Sequence, residues 1–185
     1  MAIALNILLL GLEAWGMRLV LQKRPLGQLF QFYTQLSNMT AALSAMALLL
    51  FGQAGWVAHF RYLGTSMLLM TAFVTACVLV PMGGDPKKLL GVGSGLINHV
   101  LCPVLCIVSY LFFERHAPFR ALLLPVAVTL VYGIVLLRLN ALGTVDGPYP
   151  FFRVRAQSAR ATVLWFLALL AAVTLLSALL GVLGR

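Results

Sequence analysis

Two short polar runs break into otherwise apolar sequence, and both carry side chains able to do chemistry. The first is Phe32-Tyr33-Thr34-Gln35-Leu36-Ser37-Asn38 and the second is Asn98-His99-Val100-Leu101-Cys102-Pro103. A threonine hydroxyl is a weak nucleophile until a neighbouring base takes its proton. An imidazole can take and return a proton near neutral pH. Thr34 and His99 are therefore a candidate nucleophile and base. The amides of Asn38, Asn98 and Gln35 are candidate donors to the oxyanion that such an attack would create. Gln31, Thr34 and Asn38 follow a three-then-four spacing that places them on one helix face. The same side chains also have a plainer reading. Hydroxyls and amides hydrogen-bond across helix interfaces in membranes, a threonine can bond the carbonyl one turn back, and a histidine can be a structural donor.

The elements that position these residues are membrane helices. Of the 185 residues, 62% are hydrophobic and 9% charged, far below the roughly 25% charged residues of a soluble domain. A span needs about 20 mostly apolar residues, and the sequence predicts six: 2–22, 27–52, 60–82, 89–113, 118–139 and 159–183. The fold class expected is all-α, a polytopic six-helix bundle forming one domain over 1–185. Polar clusters inside such spans are costly and mark functional sites by default. The N-terminal run has no basic segment before it, and Arg18, Lys23 and Arg24 follow it, which is the pattern of a retained first span.

Net charge is +9. The basic residues stand singly or in pairs at span ends, which suits topology and anionic lipid rather than nucleic acid. An even span count puts both termini on one side. The side holding loops one, three and five carries Arg18, Lys23, Arg24, Lys87, Lys88, Arg138, Arg153, Arg155 and Arg160, and the termini side carries Arg61, Arg115, Arg120 and Arg185. The positive-inside rule then makes loops one, three and five cytoplasmic and both termini external. Spans two and four both enter from the basic side. At 1.5 Å per residue, Thr34 is expected about 11 Å and His99 about 15 Å past the span starts, so the two could face each other. The long connection 140–158 emerges on the same side. Tyr149 and Phe151, in its Tyr149-Pro150-Phe151-Phe152 run, are candidate lid or substrate contacts.

Other residues contribute less. Cys77, Cys102 and Cys106 lack metal-binding spacing and read as buried small hydrophobes. His59 and His116 are expected at the opposite membrane surface from His99, so no metal or cofactor is implied. Gly93-Ser94-Gly95 has the look of an intramembrane serine nucleophile, but small residues that pack helices closely explain it better. Glu13 is expected inside the bundle, either orienting His99 or in a structural pair.

The segment Phe32–Asn38 resembles the aromatic-x-Thr-x-x-Ser-Asn motif of the androgen-induced protein family and its bacterial six-span relatives. His99 followed by Pro103 is similar to that family's His-then-Pro helix, and Pro148-Tyr149-Pro150-Phe151 is similar to its Tyr-Pro-Phe run before the last helix. The three matches occur in the family's order and span the chain. The resemblance implies a multipass hydrolase of lipid esters, such as fatty acid esters of hydroxy fatty acids, with Thr34 as nucleophile and His99 as base. It also implies a lipid substrate and residence in a bacterial inner membrane. The animal members have a longer His-containing segment, which leaves the particular ester open. Two readings compete with a hydrolase: a non-catalytic lipid-binding or transport protein, and a membrane acyltransferase using Cys102.

Overall fold

The computed structural model describes residues 1–184, so Arg185, counted above among the basic residues, lies outside it. Six helices are long and apolar enough to cross a membrane: α1 (Ala2–Leu21), α2 (Tyr33–Phe51), α3 (Gly55–Leu79), α4 (Gly93–Phe113), α5 (Phe119–Ala141) and α6 (Ala159–Leu183). The chain is an all-α membrane bundle. Helix α3 is its most buried member and touches α2, α4, α5 and α6, while α1 packs on α2 and α4.

Small residues allow the closest crossing. A Cβ on Gly64 of α3 would lie 2.9 Å from the Ala41 Cα of α2 and 2.8 Å from the Ser44 hydroxyl, so only glycine fits there. Without a hydrophobic driving force between helices in lipid, such close packing and interhelical hydrogen bonds supply the association.

A buried ion pair fastens the end of the bundle that holds the termini. Arg61 Nε and Nη2 donate to both Glu114 carboxylate oxygens, at 2.7 and 2.9 Å. Ser109 Oγ and Asn6 Nδ2 donate to the same carboxylate at 2.6 and 3.1 Å. Arg61 is therefore not a surface charge that helps set topology, as its place near a span end suggested; at 1% exposure it is neutralised inside the protein. The pair joins residues 53 positions apart, which no local pattern reveals.

Two span boundaries differ from the sequence expectation in ways that bear on the site. Span two does not run from residue 27. After Pro25 the chain makes one helical turn, Leu26–Leu29, then Phe32 is extended (φ −104°, ψ 120°) and α2 begins at Tyr33. Helix α5 holds this break: the Tyr132 hydroxyl donates to the Gln31 carbonyl at 2.8 Å, and the Tyr33 and Thr129 hydroxyls pair at 2.8 Å. Gln31 thus precedes α2 and does not share its face with Thr34 and Asn38. Span four likewise starts later than residue 89. Lys87–Gly91 form a separate wide helical turn, Val92 is extended, and Gly93, the first residue of α4, takes the left-handed φ of +58°. The turn folds back on α4 so closely that a Cβ on Gly95 would collide with the Lys88 carbonyl. Close packing is what this glycine provides.

Candidate active site

Thr34 is the second residue of α2, so it lies about one residue's rise from the helix start rather than 11 Å inside. His99 is six residues into α4, about 9 Å along it instead of 15 Å. Both helices start at the same end of the bundle, and the side chains meet: Thr34 Oγ1 is 3.4 Å from His99 Nε2. A nucleophile and base of the kind these two would form are often this far apart before substrate binds.

The sequence widens α4 where it carries the histidine. Proline lacks an N–H, and its ring presses on the carbonyl four residues back. For Pro103 that carbonyl belongs to His99. The helix answers with a π-turn over Ile97–Leu101, and Pro103 follows as the second residue of the next α-helical stretch. Such turns recur at functional sites because they re-aim a side chain.

The second histidine nitrogen fixes the role of the first. His99 Nδ1 lies 2.8 Å from the Leu89 carbonyl. A carbonyl oxygen only accepts, so Nδ1 carries the proton of the neutral ring and Nε2 presents a lone pair to Thr34. An orienting group behind the base is the arrangement of hydrolytic triads. Here a backbone carbonyl on the folded-back 87–91 turn takes that place. Sequence reasoning missed it because every residue has a carbonyl.

Thr34, the candidate nucleophile, is anchored through its own backbone. Asn38 Nδ2 donates to the Thr34 carbonyl at 2.7 Å, and Ser37 Oγ does so at 2.9 Å. Ser37 also pairs with the Thr71 hydroxyl of α3 at 2.7 Å. The Asn38 amide is further directed at the Asn98 carbonyl, at 3.4 Å, which makes it a brace between α2 and α4. Asn98 lies against Gly16 of α1 and, like Gln35, lines the cavity beside Thr34.

Tyr149 enters from the 140–158 connection. It is buried, with its hydroxyl 3.4 Å from both the Thr34 backbone nitrogen and Thr34 Oγ1. Its ring stacks on Phe151 at 5.2 Å and meets Phe32 edge-on at 6.1 Å. Phe151 in turn packs on Trp165 of α6. Asn140 staples the connection, donating to the Val145 carbonyl and accepting from the Val154 N–H, both at 2.8 Å. A Cβ on Gly147 would lie 2.5 Å from the Phe152 carbonyl oxygen, so the turn into Tyr149 needs glycine. The aromatic run is thus a packed wall of the site.

Thr34 stands where two cavities adjoin. One, of about 500 Å³, opens at the basic end and is lined by Arg24, Lys88, Ser94, Asn98 and His99 among others. The second is a narrow apolar slot between α3, α5 and α6, walled by Met70, Val74, Leu130, Phe166 and Leu170. Thr34, Leu79 and Tyr149 line both. Arg24 is held over the Phe32 ring, 4.2 Å from its centre.

The remaining candidates lie elsewhere. Cys102 is fully buried beside the Glu13 carboxyl and Cys106 beside the Thr65 hydroxyl. Glu13 therefore neighbours a thiol rather than His99. Cys77 is exposed on the outer surface of α3, not buried. His59 and His116 bond the Gly55 and Tyr110 carbonyls at the far end of the bundle. The chain gives no match to any family model, to curated proteins or to solved structures.

Proposed function

We propose that this integral membrane protein is a lipid ester hydrolase, acting on fatty acid esters of hydroxy fatty acids or similar acyl esters through Thr34 and His99. The observation that carries the reading is the relay from the Leu89 carbonyl through the His99 ring to the Thr34 hydroxyl. Such a chain of contacts is what general-base activation of an alcohol requires. His99 Nε2 takes the Thr34 proton as Oγ1 bonds the ester carbonyl carbon, then returns it to the departing alcohol. Water attacks the acyl-threonine with the same base, releasing the fatty acid.

The cavities fit an amphiphilic ester. The lining of the slot suits an acyl chain, which must widen its open volume of about 50 Å³ to enter, and the polar vestibule suits the alcohol portion and the water of the second step. By charge bias the vestibule opens toward the cytoplasmic side of a bacterial inner membrane, with both termini external. The burial of Cys102 away from both cavities favours Thr34 over a cysteine as the acyl acceptor.

Thr34→Ala and His99→Ala are each expected to reduce ester hydrolysis by on the order of 10⁴-fold, with elution profile and thermal melting in detergent unchanged. Hydrolysis of a long-chain acyl ester by the purified variants measures this, and retained turnover in either removes that residue from the mechanism.

A further inference from the structure

We infer that Tyr149 is a catalytic residue whose hydroxyl, together with the backbone N–H of Thr34, forms the oxyanion hole of the hydrolase proposed above. The inference rests on that hydrolase reading but on different atoms.

The first N–H groups of a helix have no partner within it. Helix α2 runs for 19 residues, and its N-cap, Phe32, offers no side-chain acceptor. The Thr34 N–H points instead at the Tyr149 hydroxyl, 3.4 Å away. The same oxygen is 3.4 Å from Thr34 Oγ1. Both contacts exceed the usual hydrogen-bond lengths of about 2.7–3.2 Å for N–H donors and about 2.5–3.0 Å for O–H donors. Neither donor is tied up by a short bond, and both flank Thr34 Oγ1 at the gap where the two cavities adjoin.

An ester carbon bonded to Thr34 Oγ1 carries its own oxygen into that gap. There the oxygen can accept from the phenol and from the N–H at the about 2.7–3.1 Å that oxyanion stabilisation needs. The positive end of α2 adds to the attraction. The amide of Asn38, a candidate for this task by sequence, is committed to the Thr34 carbonyl by a short bond of 2.7 Å. The phenol is also a donor that stays protonated, because burial pushes its pKa above the ordinary tyrosine value despite the opposing long contacts with Thr34. Its position is set by ring packing on Phe151 and Phe32, so it is preorganised before substrate arrives.

The step balances. The Oγ1–C bond forms, the Oγ1 proton passes to His99 Nε2, and the carbonyl π pair moves onto the oxygen facing Tyr149 and the Thr34 N–H. Collapse re-forms the carbonyl and breaks the bond to the leaving oxygen, which takes the proton from His99.

Tyr149→Phe keeps the ring and deletes the donor. Expected is a fall in kcat of about 10²–10³-fold with KM within threefold. The affinity of a long-chain trifluoromethyl ketone, which forms an oxyanion on Thr34, should fall by a similar factor, while inhibition by the free fatty acid is unchanged. A kcat within threefold of the parent, or a loss confined to KM, overturns the assignment to Tyr149 while leaving the Thr34 and His99 chemistry intact. An inactive parent protein, or an active Thr34→Ala, overturns the hydrolase reading and this inference together. Should Tyr149→Phe fail to fold, trifluorotyrosine placed at 149 decides. Its more acidic phenol should give the kcat profile a new alkaline limb, and an unshifted profile overturns the role.

Discussion

At Thr34, bonds from two side chains hold the backbone while the hydroxyl is left facing a base. The carbonyl receives Asn38 and Ser37, and the hydroxyl faces His99 at 3.4 Å. In a membrane helix the amide and hydroxyl of such a run were open to a reading as mere interhelical glue. The geometry separates the residues, with Asn38 and Ser37 serving as glue around a half-buried Thr34 whose hydroxyl faces His99. Asn38→Leu should therefore cost activity more than stability. Kinetics and melting should show kcat lower by tenfold to about a hundredfold, the penalty for a misplaced nucleophile, with stability changed by no more than about 1 kcal/mol. The Thr34 and His99 pairing was legible in the sequence because both types stood out against apolar surroundings. The Leu89 carbonyl and the Tyr149 contact were not, since one is backbone and the other comes from a residue 115 positions away.

Three breaks in regular structure build the site. The first is the extended Phe32 that starts α2 at Tyr33. The second is the Val92–Gly93 corner that folds the 87–91 turn against α4. The third is the π-turn ahead of Pro103. Hydropathy alone carried spans two and four straight through the first two breaks, because their residues are apolar enough to extend a helix. It also placed Thr34 too deep. What survived was the end of the bundle from which each helix enters, and that was sufficient to bring the residues together. Pro103→Ala restores the N–H that the His99 carbonyl lacks and removes the ring that forces the widening. Expected is a closer approach to regular helix over Ile97–Leu101, unchanged or higher thermal stability, and kcat reduced by about a hundredfold as Nε2 turns from Thr34. Full activity in this variant would mean that the wide turn does not aim the histidine.

Across the whole molecule, the candidate site lies at one end and the strongest electrostatic fastening at the other. Arg61 donates two hydrogen bonds to Glu114 inside the bundle, supported by Ser109 and Asn6, which ties α1 and α3 to the end of α4. Removing one partner strands the other charge. Glu114→Ala is expected to lower stability by about 3–5 kcal/mol, read as an earlier unfolding midpoint in detergent, with little change in KM for whatever protein remains folded. The six-helix class was plain from composition, whereas this pair was hidden because each of its members looks like an ordinary charge at a span end. The central claim is that Thr34 is the acyl acceptor and His99 activates it. Its most direct test is covalent labelling of the intact protein in membranes with a hydrophobic fluorophosphonate, followed by peptide mass spectrometry. The account predicts a single adduct on Thr34 that forms in the parent protein and is absent from His99→Ala. An adduct on Cys102 or another residue, or labelling of Thr34 that proceeds equally without His99, would contradict it.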